Sequence, residues 1–211
     1  MSLTNSDLQY YDGNVLRLPS EKRTEYHAQV DNVITELRKH ITSNSDLKIA
    51  KVVKAGSFAK YTILKKTVDD PIDVDIVFYI SNKNVDDSTL DNLNDLIYTL
   101  LTKIYPTKAV EDFEIQRRAA TVTFVKSGLS VDVVPVIQDA QEPNHGWQYD
   151  LKTKEKNLTC APCHIQFIRD RKNSDKHYRT LVRMAKRWKN FACPPGLKSF
   201  HLELILAYLQ D

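Results

Sequence analysis

Pro71-Ile72-Asp73-Val74-Asp75-Ile76-Val77-Phe78-Tyr79-Ile80 carries two messages in ten residues. Its β-branched and aromatic side chains predict a β-strand. Asp73 and Asp75 stand two apart, so on a strand both carboxylates leave the same face, a few ångströms from each other. Like charges held that close repel, and one is driven toward its neutral form unless a cation lies between them. A hard divalent metal, which prefers oxygen ligands, is the simplest remedy.

Working outward, Leu47 to Ala55 reads as a strand through Ile49, Val52 and Val53. It runs into Gly56-Ser57-Phe58-Ala59-Lys60-Tyr61-Thr62, which predicts a turn opening a short helix. Backbone N–H groups at such a start are unpaired and the helix dipole favours anions. Ser57 adds a hydroxyl and Lys60 a positive charge. Downstream, Phe113–Val125 and Leu129–Ile137 read as two strands joined at Ser127-Gly128, and the second carries Asp132. If that strand lies beside the first, a third carboxylate reaches the same place. Three carboxylates suit two Mg²⁺ ions, an arrangement adapted to in-line displacement at phosphorus. An isolated D-x-D or Gly-Ser is commonplace; their order and setting make the combination specific.

The remaining segments follow from periodicity. Residues 1–19 read as a polar, loosely packed arm. Ser20 reads as the N-cap of a helix running to about His40, with Val30, Val33, Ile34, Leu37 and Ile41 on one face. Leu64 to Asp70 reads as a loop, and Asp86 to Ile104 as an amphipathic helix. Gln138 to about Pro162 is polar and yields no element. Residues 163–173, 175–191 and 198–210 read as helices. The last of these is strongly apolar with nothing after it to pack on, so the chain is expected to be part of a longer protein.

Of the 211 residues, 42% are hydrophobic and 27% charged, and the net charge is +3. These are ordinary globular values, mildly favourable to phosphate ligands. No apolar run is long enough to span a membrane, and the N-terminus lacks the pattern of a secretion signal. With three cysteines, the expectation is reduced thiols in a cytoplasmic setting. Cys160-Ala161-Pro162-Cys163-His164 matches a haem-attachment pattern, which is set aside because attachment requires export. The same Cys-x₂-Cys, with His164 and Cys193, offers half of a zinc site without a second half. Arg117 and Arg118 read equally as acceptor-sensing or solvent-facing, and His145-Gly146-Trp147 as a cleft neighbour or a loop anchor.

Gly56-Ser57, Asp73-x-Asp75 and Asp132, in that order, resemble the signature of the polymerase-β-like nucleotidyltransferases. Leu181-Val182-Arg183-Met184-Ala185-Lys186-Arg187-Trp188-Lys189, then Pro194-Pro195 and Ser199-Phe200-His201-Leu202-Glu203-Leu204, resemble the start of the helical domain in 2′–5′ oligoadenylate synthetases, cyclic GMP–AMP synthase and the bacterial CD-NTases. The resemblance covers about residues 45–211. It implies an α+β fold: a mixed sheet flanked by helices over residues 1–160, followed by the beginning of a helical domain over 161–211. It implies Mg²⁺, as two ions with Mn²⁺ as a substitute, on Asp73, Asp75 and Asp132. It implies that Gly56, Ser57, Lys186 and Ser199 hold a donor triphosphate and that Phe200 stacks on the base. The substrates would be nucleoside triphosphates, without a nucleic-acid requirement, under a regulatory partner of unknown kind. The product would be a cyclic or short linear oligonucleotide messenger in anti-phage defence. An RNA-end enzyme of the CCA-adding or poly(A) type, and a non-catalytic or antitoxin module, are the alternatives. Tyr61 departs from the family, which often has glycine before the loop threonine. The basic residues Arg179, Arg183, Lys186, Arg187 and Lys189 are expected partly to share an open helix face, which supports Lys186 as a phosphate ligand and reads otherwise as a solvated basic face.

Overall fold

The computed structural model describes residues 3–65, 72–81 and 87–209. Pro71, Asp86, Gln210 and most of the Leu64–Asp70 loop lie outside them. In chain order the elements are α1 (Asn5–Tyr11), a π-helical turn (Asp12–Leu16), α2 (Ser20–Asn44), β1 (Ile49–Lys54), α3 (Gly56–Lys60), β2 (Ile72–Ile80), α4 (Asp87–Ile104), a 3₁₀ turn (Val110–Asp112), β3 (Phe113–Ile115), β4 (Ala120–Phe124), β5 (Leu129–Gln138), β6 (Gly146–Asp150), β7 (Glu155–Thr159), α5 (Ala161–Ser174), α6 (Tyr178–Ala192) and α7 (Ser199–Tyr208).

One mixed sheet organises them, in the order β1-β2-β5-β4-β3, with β6 continuing from the end of β5 and β7 beside it. The β2–β5 pair is parallel and the other pairs are antiparallel. β2 is central and almost wholly buried beyond Asp75, which explains its continuous apolar run. Val30, Val33, Leu37 and Ile41 of α2 and Ile97, Leu100 and Leu101 of α4 pack with Val74, Ile76, Phe78, Val131 and Val133 of the sheet. The last helices have a small core of their own, built on Ile168, Tyr178, Val182 and Ala207.

Several expectations need correction. The first nineteen residues are no loose arm. Thr4 caps α1 through a reciprocal pair with Asp7, and Leu16 and Leu18 are buried. Ser20 is the first residue of α2 and forms no side-chain cap; Pro19 precedes it. The strand expected over Phe113–Val125 is two antiparallel strands, because Gln116–Ala119 turns the chain back on itself. The unassigned stretch holds the β6–β7 hairpin, in which the polar Gln148 and Asp150 face inward.

The cysteines differ from expectation as well. Cys160 and Cys163 are joined as a disulfide and Cys193 is free and exposed. A Cys-x₂-Cys at a helix start places its Cα atoms 5.3 Å apart, inside the range a disulfide accepts. Cys193 caps the end of α6 and is exposed, and among the described residues it joins no cluster of metal-ligating atoms with this pair.

Candidate active site

The parallel pairing of β2 with β5 brings two of the sequence-predicted carboxylates together. Asp75 and Asp132 are direct register partners, and Asp73 pairs with Ser130 one step along the same face. Asp73 is exposed, whereas Asp75 and Asp132 are recessed. Among the described residues the three carboxylates do not close into one group within 4.8 Å. Burial, reinforced by Asp132, pushes the Asp75 carboxyl up to about 6, against the opposing pull of Lys60 and Lys186. Burial also raises Asp132, although its hydrogen bond from Thr121 Oγ1 (2.6 Å to Oδ1) works the other way.

Gly56 supplies the close approach that this site requires. It begins α3 at φ +59°, and a Cβ built on it would lie 1.6 Å from Asp75 Oδ2. No side chain fits there, and the left-handed backbone suits glycine. The peptide is fixed from the sheet side by Ala55 N–H donating to Asp75 O at 2.8 Å. Ser57 follows as the second residue of α3, and its carbonyl accepts from the N–H groups of Thr62 and Ile63. Tyr61, the departure from the family pattern, adopts φ 61° and stacks against Arg23 and Arg179.

Lys186 is placed differently from the open basic face expected of α6. It is 5% exposed, and its Nζ donates to Glu203 Oε1 (2.8 Å) and Thr62 Oγ1 (2.9 Å). Glu203 also accepts from Lys60, so one buried carboxylate holds two lysines beside Asp75. Burial pushes Glu203 upward, but Lys186 and Lys60 outweigh it and keep the carboxyl below its usual range. Arg183 turns inward too, with a bidentate pair to buried Asp12 (2.6 and 2.7 Å). Helix periodicity displayed these cations correctly; their anionic partners lie far away in sequence and were not legible.

A cavity opens between these groups, lined by Gly56, Lys60, Asp75, Gln148 and His164. Phe200, 41% exposed, sits at this rim, 5.2 Å from the His164 ring and under Lys60. Ser199 begins the same helix. Of the predicted residues, Asp73, Asp75 and Asp132 share a face of the sheet, Gly56 abuts Asp75, and Lys186 and Phe200 reach the neighbourhood of Lys60 from the helices, while Ser57 and Ser199 are placed only by their positions at the starts of α3 and α7. Glu203 and Thr62 are the site neighbours that sequence reasoning missed. Arg117 and Arg118 are exposed, as the solvent-facing reading expects, and both pair with buried Asp150. His145 and Trp147 act as loop anchors, the indole donating to Asp139.

Residues 1–172 match the model of the Second Messenger Oligonucleotide or Dinucleotide Synthetase domain, SMODS. The chain belongs to the SMODS family. It is 56% identical over 212 aligned residues to the CBASS oligonucleotide cyclase CdnC of Escherichia coli strain KTE188, covering all of this chain and 67% of that protein. It is 31% identical over 204 residues to the cyclic AMP-AMP-AMP synthase of E. coli strain MS 115-1, covering 93% of this chain and 61% of the relative. Among solved structures, E. coli MS115-1 CdnC with ATP superposes with a TM-score of 0.78 at 29% identity, over 99% of this chain and 66% of that one. Vibrio cholerae DncV with a linear intermediate shares the fold, with a TM-score of 0.74 at 12% identity, over 92% of this chain and 69% of that one. The chain therefore spans about two thirds of the length of these relatives. The sheet and its helices form the CD-NTase version of the polymerase-β-like fold. As a SMODS domain it is a metal-dependent nucleotidyltransferase domain of the anti-phage second-messenger branch, acting on nucleotides. That membership selects the messenger reading over an RNA-end or non-catalytic one. No helix of the described residues is long and apolar enough to cross a membrane.

Proposed function

We propose that the protein joins nucleoside triphosphates into a cyclic or short linear oligonucleotide, using two Mg²⁺ ions for which Mn²⁺ can substitute. The observation that carries this reading is the register pair Asp75–Asp132 beside a glycine that no other residue can replace without displacing Asp75. Recessed carboxylates that repel one another, with oxygen as the only donor atom, fit a hard divalent cation. Asp73, Asp75 and Asp132 would hold the ions. Bound there, the ions would supply Lewis acidity to the attacking hydroxyl and charge stabilisation to the departing pyrophosphate.

The chain's own residues do the rest. Gly56 lets the α3 backbone approach the donor triphosphate closely, and Ser57 contributes a hydroxyl to it. Lys60 and Lys186 hold positive charge where the phosphates arrive, kept in place by Glu203. Thr121 orients Asp132, the carboxylate nearest in role to the acceptor hydroxyl. Phe200 offers an exposed ring face to the donor base, and Ser199 a hydroxyl to the triphosphate. Residues 1–160 serve as the catalytic domain and 161–211 as the opening of the helical one, in a cytoplasmic protein. A relative was solved as a CdnC:HORMA-deltaN complex. We infer a protein regulator here too.

The test is incubation of the full-length protein with the four labelled triphosphates and Mg²⁺, followed by mass spectrometry of the product. The expected result is pyrophosphate release with a small cyclic or linear oligonucleotide, lost in Asp132→Asn. Turnover by Asp132→Asn at the wild-type rate would overturn the assignment.

A further inference from the structure

The Cys160–Cys163 pair lies outside the machinery above, and a third group accompanies it. His145, Cys160 and Cys163 each offer a ligand atom, and those atoms all lie within 4.8 Å of one another. The three come from two parts of the fold: His145 from the turn entering β6, the cysteines from the first turn of α5. The Nδ1 of His145 is shut off from solvent and makes no hydrogen bond among the described residues. A buried ring nitrogen left unsatisfied in a folded protein calls for an explanation, and service as a metal ligand is one. The backbone N–H of Cys163 donates to Cys160 Sγ at 3.2 Å. An N–H donor and a helix N-terminus both suit an anionic sulfur.

We propose that, with the disulfide reduced, His145, Cys160 and Cys163 bind one thiophilic divalent metal, Zn²⁺ by preference. Two sulfurs and an imidazole form a soft, borderline donor set that selects zinc over Mg²⁺ or Ca²⁺. Such a set leaves the fourth tetrahedral position to water, and Cys163 on the exposed side of the pair gives the solvent access that position needs. The disulfide and the metal are alternative states of the same sulfurs. A dithiol reductant supplies two electrons and two protons to open the S–S bond. Zn²⁺ then displaces both thiol protons to form two Zn–S bonds, with no further electron transfer. The ion would tie α5 to the β5–β6 turn. The same first turn of α5 places Ala161 and His164 in the wall of the nucleotide cavity, so the clamp would stiffen that wall.

The test uses the full chain, reduced with a dithiol, exchanged into reductant-free anaerobic buffer and loaded with Zn²⁺ alone. After removal of free ion, elemental analysis should give one zinc per chain, and Co²⁺ in its place should give a thiolate-to-metal charge-transfer band. Cys163→Ser, at an exposed position, should lose the band's intensity and at least tenfold in affinity while keeping the wild-type melting temperature measured with chelator. His145→Gln should weaken binding similarly, and the oxidised chain should bind none. Reduced wild type that retains less than a tenth of an equivalent overturns the proposal, as does a Cys163→Ser chain that binds zinc as tightly as wild type.

Discussion

Asp75→Asn should make the metal-free protein more stable and the enzyme inactive. In the fold the Asp75 carboxyl is pushed up from 3.8 to about 6 by burial and by Asp132. A carboxyl whose folded value is raised contributes the reverse of a salt-bridged one. Below 3.8 it is protonated in both states and neutral to stability. As pH rises from about 4 to about 6 the unfolded chain ionises first, and the fold loses ground until both states are charged. With about 1.4 kcal/mol per unit, the loss at pH 7 is on the order of 2–3 kcal/mol. Asparagine is nearly isosteric and carries no charge, so it recovers most of this. The assay is urea unfolding of wild type and variant in chelator, at pH 4 and at pH 7. The variant's advantage should be near zero at pH 4 and on the order of 2 kcal/mol at pH 7, while pyrophosphate release by the full-length variant falls at least about 100-fold. An advantage of the same size at both pH values would refute the electrostatic reasoning, and a less stable variant at pH 7 would refute it outright.

Gly56→Ala must drive Asp75 Oδ2 back by more than an ångström, since real Cβ contacts stay beyond 3.0 Å and this one would start at 1.6 Å. Misplacement of that order costs about 100-fold in turnover, with about 1–2 kcal/mol of stability from the left-handed backbone; kinetics and melting of the same variant check both. Glu203→Ala strands two buried lysines and should cost about 3–5 kcal/mol in urea unfolding, whereas Glu203→Gln should restore part of it through Thr62 and Lys186. Asp12→Asn breaks the buried bidentate pair to Arg183 and should cost a similar ~3–5 kcal/mol. Burial pushes Asp12 up, but hydrogen bonds from Arg183, Thr180 and Arg17 outweigh it and hold the carboxyl below its ordinary value. Its stabilisation is therefore complete above pH 4 or so and fades as pH falls through the lowered folded value. Acid titration of wild type against the variant should show the two curves converging as the pH falls below the ordinary carboxylate range.

The sheet and its carboxylates were legible because strand alternation is a local property: Asp73 and Asp75 must share a face wherever the strand goes. Asp132 was legible only conditionally, since register between strands is decided by tertiary packing. The break at Gln116–Ala119 has a signal in the three polar residues Gln116, Arg117 and Arg118, but strongly β-prone flanks mask it. The β6–β7 hairpin was hidden by inverted polarity: Gln148 and Asp150 point inward, Asp150 answered by Arg117 and Arg118. Lys186 is located by family pattern, but its burial depends on Glu203 seventeen positions later and on Thr62 from a distant part of the chain. No window of sequence displays such pairings.

The Asp12–Arg183 pair also bears on how the chain is made. Its partners are separated by 171 positions. At about 5–20 residues per second on a ribosome, Asp12 has only the exposed Arg17 for on the order of ten to thirty seconds before its buried partner Arg183 exists. Until then a carboxylate destined for the interior stays hydrated, and the segment from α1 to Leu18 cannot seat against α6. The opening turn of the protein is thus among the last pieces to settle, and a nascent chain halted before α6 should expose this segment to proteolysis.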